Sequence, residues 1–187
     1  MDRLLARIRS ALQGAARRPE PGPGEPSGAE VNADLVVAFR EALRAASGRL
    51  VVVDDEAAAR AFVASEWPNA SGVDVGEHPP EAKVREAMVG IDRATLLIAE
   101  TGTVVRTYAT REDARVALVP PVSVFLARTQ DLVRDLPTAL ARVGDAHRAG
   151  RAYSVLVTGP SRTADIEKQL VIPAHGPREV VVLLVGP

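Results

Sequence analysis

The chain has 187 residues, a net charge of −1 and no cysteine. Its length is near that of one domain and is sufficient to bury a substantial core. The absence of cysteine excludes disulfides and cysteine-ligated iron–sulfur or zinc sites. The near-neutral charge gives no reason to expect nucleic acid or an anionic membrane as a partner.

The N-terminal segment is predicted to be a short helix followed by a linker. Apolar residues recur at helical spacing in residues 2–15. Residues 17–28 contain four prolines and three glycines, which suit neither a helix nor a sheet. We therefore expect a helix and a Pro/Gly-rich linker in residues 1–31 and one folded domain in residues 32–187. No apolar run reaches about 18 residues and residues 1–8 lack the apolar core of a secretory signal, so a cytoplasmic protein without a membrane span is expected.

The folded domain is predicted to alternate helices and strands. Apolar periodicity, capping residues and buried apolar runs indicate, in chain order, helix 32–46, strand 50–53, helix 56–65, strand 72–75, helix 80–88, strands 95–99, 103–108, 117–119 and 122–127, helix 136–147, strand 154–157, a short helix after residue 163 and strand 179–185. This order predicts an α/β fold, a three-layer sandwich with a mostly parallel central sheet and an antiparallel insertion.

The first segment that is a candidate binding site follows the strand at 154–157. Its loop contains Gly159, Ser161, Arg162 and Thr163, and the predicted helix comes next. Ligands of open α/β sheets bind beyond the carboxyl ends of strands, and free N–H groups at a helix start suit an anion. Ser161, Arg162 and Thr163 would add donors to such a site. In the alternative interpretation, Thr163 only caps the helix.

The second segment is Glu100, Thr101, Gly102 and Thr103, at the end of the strand predicted for 95–99. A carboxylate at a strand end can act as a base, a nucleophile or a hydroxyl acceptor, so Glu100 is the candidate catalytic residue. Thr101, Gly102 and Thr103 are candidate ligand-binding residues. In the alternative interpretation, the segment is a hairpin turn in which Glu100 pairs with an arginine such as Arg106 or Arg162.

The third segment is a Gly/Pro-shaped loop around His175. This histidine is a candidate proton donor or carboxylate-binding residue, although such histidines more often hold a loop through a backbone hydrogen bond. The three histidines of the chain are dispersed, so no metal site is expected. No dinucleotide-binding or P-loop motif is present, and no cofactor is expected.

Four segments together resemble the LUD-domain family, in its LutC/YkgG branch. They are Ala99-Glu100-Thr101-Gly102-Thr103, Pro120-Pro121, Gly159-Pro160-Ser161-Arg162-Thr163-Ala164-Asp165-Ile166-Glu167 and His175-Gly176-Pro177-Arg178-Glu179. The resemblance implies the NagB/RpiA/CoA transferase-like fold of sugar-phosphate isomerases and coenzyme A transferases. It also implies a role in the oxidation of L-lactate to pyruvate, beside partner proteins that carry the redox and iron–sulfur equipment.

Three functions remain open from the sequence. The first is a non-redox component of a lactate-oxidising system that binds partner proteins or a small carboxylate or phosphate-type anion. The second is a stand-alone enzyme resembling coenzyme A transferases or sugar-phosphate isomerases, with Glu100 as the catalytic carboxylate. The third is a sensing or scaffolding module. In each case the loops around Glu100 and Ser161 are expected to converge on one cleft.

Overall fold

A computed structural model describes residues 33–148, 150, 153–161, 163–164, 170–171 and 176–186. The predicted N-terminal helix and linker lie outside these residues, and the domain boundary at residue 32 stays a prediction. The described helices are α1 (Ala33–Ala45), α2 (Glu56–Glu66), α3 (Glu81–Glu86), α4 (Arg115–Leu118) and α5 (Leu136–Arg148). The described strands are β1 (Arg49–Val53), β2 (Gly72–Asp74), β3 (Val89–Arg93), β4 (Leu96–Ile98), β5 (Thr103–Tyr108), β6 (Val122–Arg128), β7 (Leu132–Val133), β8 (Tyr153–Val157), β9 (Thr163–Ala164), β10 (Leu170–Val171) and β11 (Glu179–Val185).

Five of the described strands form a parallel sheet in the order β1-β11-β6-β3-β2. Strand β11 lies between β1 and β6 and is apolar along most of its length because both faces of the sheet are covered there. Val180 and Val182 pack on the face covered by α1, whereas Val181 and Leu183 pack on the face covered by α2. The predicted α/β fold with a mostly parallel sheet is confirmed.

A second, mixed sheet has the order β7-β4-β5-β8, in which β4-β5 and β5-β8 pair antiparallel and β7 pairs parallel with β4. Helix α1 lies between the two sheets, and its Phe39 and Leu43 are fully buried in one core with Phe125 of β6 and Leu97 of β4. Helix α5 covers the outer face of the second sheet. The turn between β4 and β5 is therefore carried by strands that are buried along most of their length, whereas β8 is only partly buried.

The structure differs from the prediction at residues 117–119 and at β3. The strand expected at 117–119 is the end of helix α4, because a short buried apolar run can be a helix as well as a strand. Strand β3 was not predicted, since Gly90, Asp92 and Arg93 interrupt its apolar pattern. Its charged residues find partners only in the tertiary structure, as described below.

Helix α5 is capped by a charged side chain with a testable pH dependence. Oδ1 of Asp135 accepts a hydrogen bond from the backbone N–H of Thr138 at 2.9 Å, and hydrogen bonds from Thr138 lower the pKa of Asp135 below its ordinary value. Asp135→Ala should lower the free energy of unfolding by about 1 kcal/mol at neutral pH. Because the folded pKa is the lower one, this contribution exists above the unfolded pKa and is lost as the pH falls through the folded pKa.

Urea unfolding at neutral and strongly acidic pH measures this effect. The difference between the wild type and Asp135→Ala should disappear in acid. Asp135→Asn keeps an acceptor at the cap and serves as the control, with a smaller and pH-independent loss. A difference for Asp135→Ala that stays constant down to strong acid would contradict the assignment of the cap.

Candidate functional site

The segment around Glu100 forms the tight turn of a β-hairpin. Strands β4 and β5 pair antiparallel, and the backbone N–H of Gly102 donates to the carbonyl oxygen of Ile98 at 3.0 Å. The backbone N–H of Glu100 donates to the carbonyl oxygen of Arg134 at 3.0 Å, which ties the turn to the segment after β7. The Glu100 side chain is exposed at the tip. The alternative interpretation of this segment as a hairpin turn therefore describes its backbone.

Three threonine hydroxyls link this turn to the end of β8. The hydroxyl of Thr103 shares hydrogen bonds with those of Thr101 and Thr158, each at 2.7 Å. The link arises because β5 and β8 pair antiparallel, with Val104 opposite Val157. The start of β5 consequently lies beside the end of β8. We call residues 99–103 and 158–161 together the turn pair.

Both turns of the pair pack against the C-terminal end of α1. Gly102 and Gly159 have φ of +63° and +70°. A Cβ atom on Gly102 would lie 2.2 Å from the backbone nitrogen of Leu43, and one on Gly159 would lie 2.0 Å from the carbonyl oxygen of Ala46. Only glycine fits at these two places, because both the backbone conformation and the space exclude a side chain. The turn pair is thus held rigidly on one helix end.

The second turn of the pair borders a cavity of about 470 Å³. The backbone N–H of Ser161 donates to the carbonyl oxygen of Pro177 at 3.1 Å, so the loop before β11 closes against this turn. Gly159, Ser161 and Gly176 line the cavity, together with apolar residues of β8. Glu100 is not in the described lining. That Glu100 and Ser161 act in one cleft therefore stays a prediction.

The prediction of a helix after residue 163 is wrong for its first residues. Thr163–Ala164 form a strand that pairs antiparallel with Leu170–Val171, so Thr163 does not cap a helix there. The predicted anion site depended on the N–H groups of that helix start. The turn pair instead contacts the C-terminal end of α1, whose carbonyl groups carry partial negative charge. Arg162 and His175, the other predicted ligand-binding residues, lie outside the described residues.

Arg106 does not pair with Glu100, as one interpretation of the hairpin expected. Its Nε donates to Oδ1 of Asp92 at 3.0 Å. Asp92 lies at the carboxyl end of β3 and is 1% exposed. It also accepts hydrogen bonds from the hydroxyl of Tyr108 at 2.5 Å and from the backbone N–H of Arg93 at 2.6 Å.

Burial in this cluster shifts the pKa values of Asp92 and Tyr108. Burial raises the pKa of Asp92, against the opposing effects of Tyr108 and Arg106. Burial and the adjacent carboxylate in turn raise the pKa of Tyr108. Sequence reasoning missed this cluster, although an aspartate directly after the apolar residues of a strand was the available signal. Perturbed ionisable groups of this kind are frequent at functional sites.

A further ionic cluster lies at the carboxyl ends of β3 and β6. Both guanidinium NH2 groups of Arg93 donate to the Glu56 carboxylate at 2.7 Å, and Arg128 lies 3.7 Å from the same group. The hydrogen bond from Arg93 lowers the pKa of Glu56 to about 2. The cluster borders a cavity of about 200 Å³. The bidentate pair with Arg93 already occupies both carboxylate oxygens of Glu56.

The described residues contain no group of three or more histidine, aspartate or glutamate side chains arranged to hold a metal ion. Within the same part of the chain, no helix combines the length and apolar character needed to cross a membrane.

A family model for the LUD domain matches residues 65–185. The chain belongs to the LUD domain family. The resemblance found in the sequence is therefore confirmed, and the match includes β2 to β11 with both turns of the turn pair.

Individual relatives of this LUD domain protein agree with the assignment. It is 34% identical over 98 residues to an uncharacterized protein of Neisseria meningitidis, covering 52% of this chain and 42% of that protein. It is 29% identical over 171 residues to lactate utilization protein C of Bacillus subtilis, covering 81% of this chain and 69% of the relative. It is also 29% identical to lactate utilization protein C of a Geobacillus species, covering 70% of this chain and 58% of the relative. These matches leave a large part of each relative unmatched.

The fold also resembles a solved structure, that of a DUF162 family protein from Deinococcus radiodurans. The TM-score is 0.61 at 20% identity, and the similarity covers 82% of this chain and 98% of the other. At this identity the likeness supports the fold alone.

Proposed function

We propose that this chain takes part in lactate utilisation as a component without its own redox centre, and that the turn pair is its binding surface. Relatives named lactate utilization protein C support the process. The absence of cysteine supports the division of labour, because an iron–sulfur cluster held by thiolates must then belong to another protein.

The observation that carries the proposal is the locking of two distant turns into one surface. Thr103 and Thr158 are 55 positions apart and share a hydrogen bond of 2.7 Å. Glu100, Thr101 and Thr158 are exposed beside this bond. A surface whose polar groups are already held in place loses little conformational entropy on binding. Rigid polar turns of this kind suit recognition.

The charge around the turn pair favours a donor-rich partner protein over an anion. Glu100 is negative, and the carbonyl end of α1 lies behind both turns. An anion at this place would meet repulsion from both features. A partner that brings N–H groups or a basic side chain would complement them. The proposed partners are the iron–sulfur and redox proteins of a lactate-oxidising system.

Growth on L-lactate tests the proposal. A strain that lacks the gene is complemented with the wild type, Glu100→Gln, Thr158→Val or the control Glu41→Gln, which changes an exposed carboxylate on α1. Glu100→Gln should slow growth on lactate several-fold without lowering the melting temperature. Thr158→Val should slow it as well and cost about 1 kcal/mol of stability, because Thr103 loses a hydrogen-bond partner.

Three results decide between the functions. Growth of the Glu41→Gln strain should equal that of the wild type on every carbon source. If Glu100→Gln and Thr158→Val also support wild-type growth on lactate, the turn pair is not the binding surface. If the purified chain oxidises lactate by itself, it is a redox enzyme and the component role is wrong.

A further inference from the structure

A second candidate site lies at the far end of β5 from the turn pair. Thr103 begins this strand and Tyr108 ends it, which places them about 17 Å apart at the usual rise per residue. The end at Tyr108 meets the carboxyl ends of β2 and β3, and ligands of open parallel sheets bind at such ends. The features below do not depend on the role of the turn pair.

The site begins with an ion pair, between a buried aspartate and a part-buried arginine, that joins the two sheets. Asp92 of the parallel sheet has a side chain with no exposed surface, and it binds Arg106 of the second sheet. Burying the Asp92 carboxylate costs its desolvation, and ion pairs with a buried member are often no more stable than apolar residues of the same size. The presence of this pair is better explained by the orientation it imposes on Arg106.

Two contacts hold the Arg106 guanidinium, a hydrogen bond at one edge and the Tyr108 ring against one face. Nε donates to Asp92, and the guanidinium carbon lies 5.0 Å from the centre of the Tyr108 ring. Among the described residues, Nε makes the only hydrogen bond of this side chain, which is 25% exposed. The two terminal nitrogens therefore keep four N–H donors in a fixed plane. This geometry matches the two oxygens of a carboxylate.

Arg106 borders a cavity of about 360 Å³, which is within the size range of small-molecule sites. His78 and Asp113 border it as well, and the Nδ1 of His78 lies 3.2 Å from Oδ1 of Asp113. The hydroxyl of Thr110 donates to Oδ2 of Asp113 at 3.0 Å. Each carboxylate oxygen can accept a second hydrogen bond, so Asp113 retains capacity for a ligand donor.

We propose that this cavity binds a small carboxylate that carries a hydroxyl group, a hydroxy acid. Arg106 binds the carboxylate through its two terminal nitrogens, and Asp113 accepts a hydrogen bond from the hydroxyl group. Asp92 is the positioning residue, because it fixes the guanidinium plane without touching the ligand. Asp113 also repels simple anions, so a carboxylate without a hydrogen-bond donor binds more weakly.

Calorimetric titration of the full chain tests the site with two probes, L-lactate and propionate, which differ by one hydroxyl group. The wild type should bind L-lactate at one saturable site, more tightly than propionate. Arg106→Lys keeps the charge but loses the planar fork, and should weaken L-lactate binding about tenfold or more. Asp113→Ala should remove the preference for L-lactate over propionate. Arg85→Gln is the matched control, since Arg85 is an exposed arginine on α3, and its affinity should equal that of the wild type.

Melting curves and the NMR signal of the Arg106 Nε–H separate binding from folding. In the wild type this signal should shift on addition of L-lactate, and in Asp92→Asn it should lose protection from exchange while L-lactate binding weakens. Arg106→Gln removes the charge as well as the planar fork. If this variant fails to fold, the effect on L-lactate affinity is read from Arg106→Lys. Absence of saturable L-lactate binding by the wild type overturns the proposal, and so does a lower melting temperature of Arg106→Gln with unchanged affinity. Normal growth of Glu100→Gln together with weakened binding in Arg106→Lys would refute the turn pair and leave this site standing.

Discussion

Replacing Gly102 with alanine should lower the free energy of unfolding by about 2–4 kcal/mol. The left-handed backbone at φ +63° costs a residue with a Cβ about 1 kcal/mol. The new Cβ would also lie 2.2 Å from the backbone nitrogen of Leu43 and 2.5 Å from the carbonyl carbon of Ala42. Neither atom belongs to a flexible side chain, so the hairpin must move away from α1, and such overpacking typically costs about 1–3 kcal/mol.

Gly186 provides the matched control for this substitution. Its φ is +74°, but a Cβ there would have no atom within 4 Å. Gly186→Ala should therefore lose only the backbone contribution, about 1 kcal/mol. Urea unfolding of both variants measures the difference. Equal losses would mean that the turn around Gly102 is not pressed against the end of α1, and the rigid turn pair would lose its physical basis.

Replacing Asp92 with alanine should be similarly damaging, at about 2–4 kcal/mol, because two hydrogen-bonding groups lose their acceptor. The substitution leaves Nε of Arg106 and the hydroxyl of Tyr108 without their acceptor between the two sheets. A buried Tyr108 hydroxyl and a part-buried Arg106 guanidinium that lose their acceptor cost more than a lost surface pair. Glu56→Ala, which breaks an exposed pair with Arg93, should have a clearly smaller effect in the same unfolding experiment. Equal effects would contradict the burial of the Asp92 cluster.

The raised pKa of Asp92 predicts how the stability of the protein depends on pH. Burial raises its pKa in the folded protein above the ordinary value of 3.8, so the folded state holds this proton more firmly than the unfolded state. The contribution of Asp92 to stability is then fully present below the unfolded pKa and falls as the pH rises through the folded pKa. Asp92→Asn removes this titration.

Unfolding of the wild type and Asp92→Asn across the acidic and neutral range checks the sign. The stability of the wild type relative to Asp92→Asn should fall as the pH rises above about 4. The stability of the wild type relative to Glu56→Gln should instead fall as the pH is lowered. The pKa of folded Glu56 is lowered to about 2, so its stabilisation is lost in acid. A relative stability of the wild type that rises above pH 4 would mean that Arg106 outweighs the burial of Asp92.

The sequence by itself determined the elements with strong local patterns. Strand β11 was predicted at 179–185 and is Glu179–Val185, because its unbroken apolar run suits a strand buried on both faces. The hairpin of β4 and β5 was recognisable from Glu100-Thr101-Gly102 between two apolar runs. The family was recognisable from the same turn together with the Gly159–Glu167 segment, since these residues lie close together in sequence.

Only the tertiary structure decided where the polar groups go. The hydrogen bond from Thr103 to Thr158 follows from the pairing of β5 with β8, and no local pattern predicts which strands pair. Arg106 binds Asp92 rather than Glu100 because the two sheets bring the end of β5 over the end of β3. For the same reason β3 was missed, because its charged residues are tolerated only through partners on other elements, Asp92 with Arg106 of the second sheet and Arg93 with Glu56 of α2. Local propensity determines elements within one segment, whereas ion pairs and hydroxyl contacts depend on the register and packing of segments far apart in the chain.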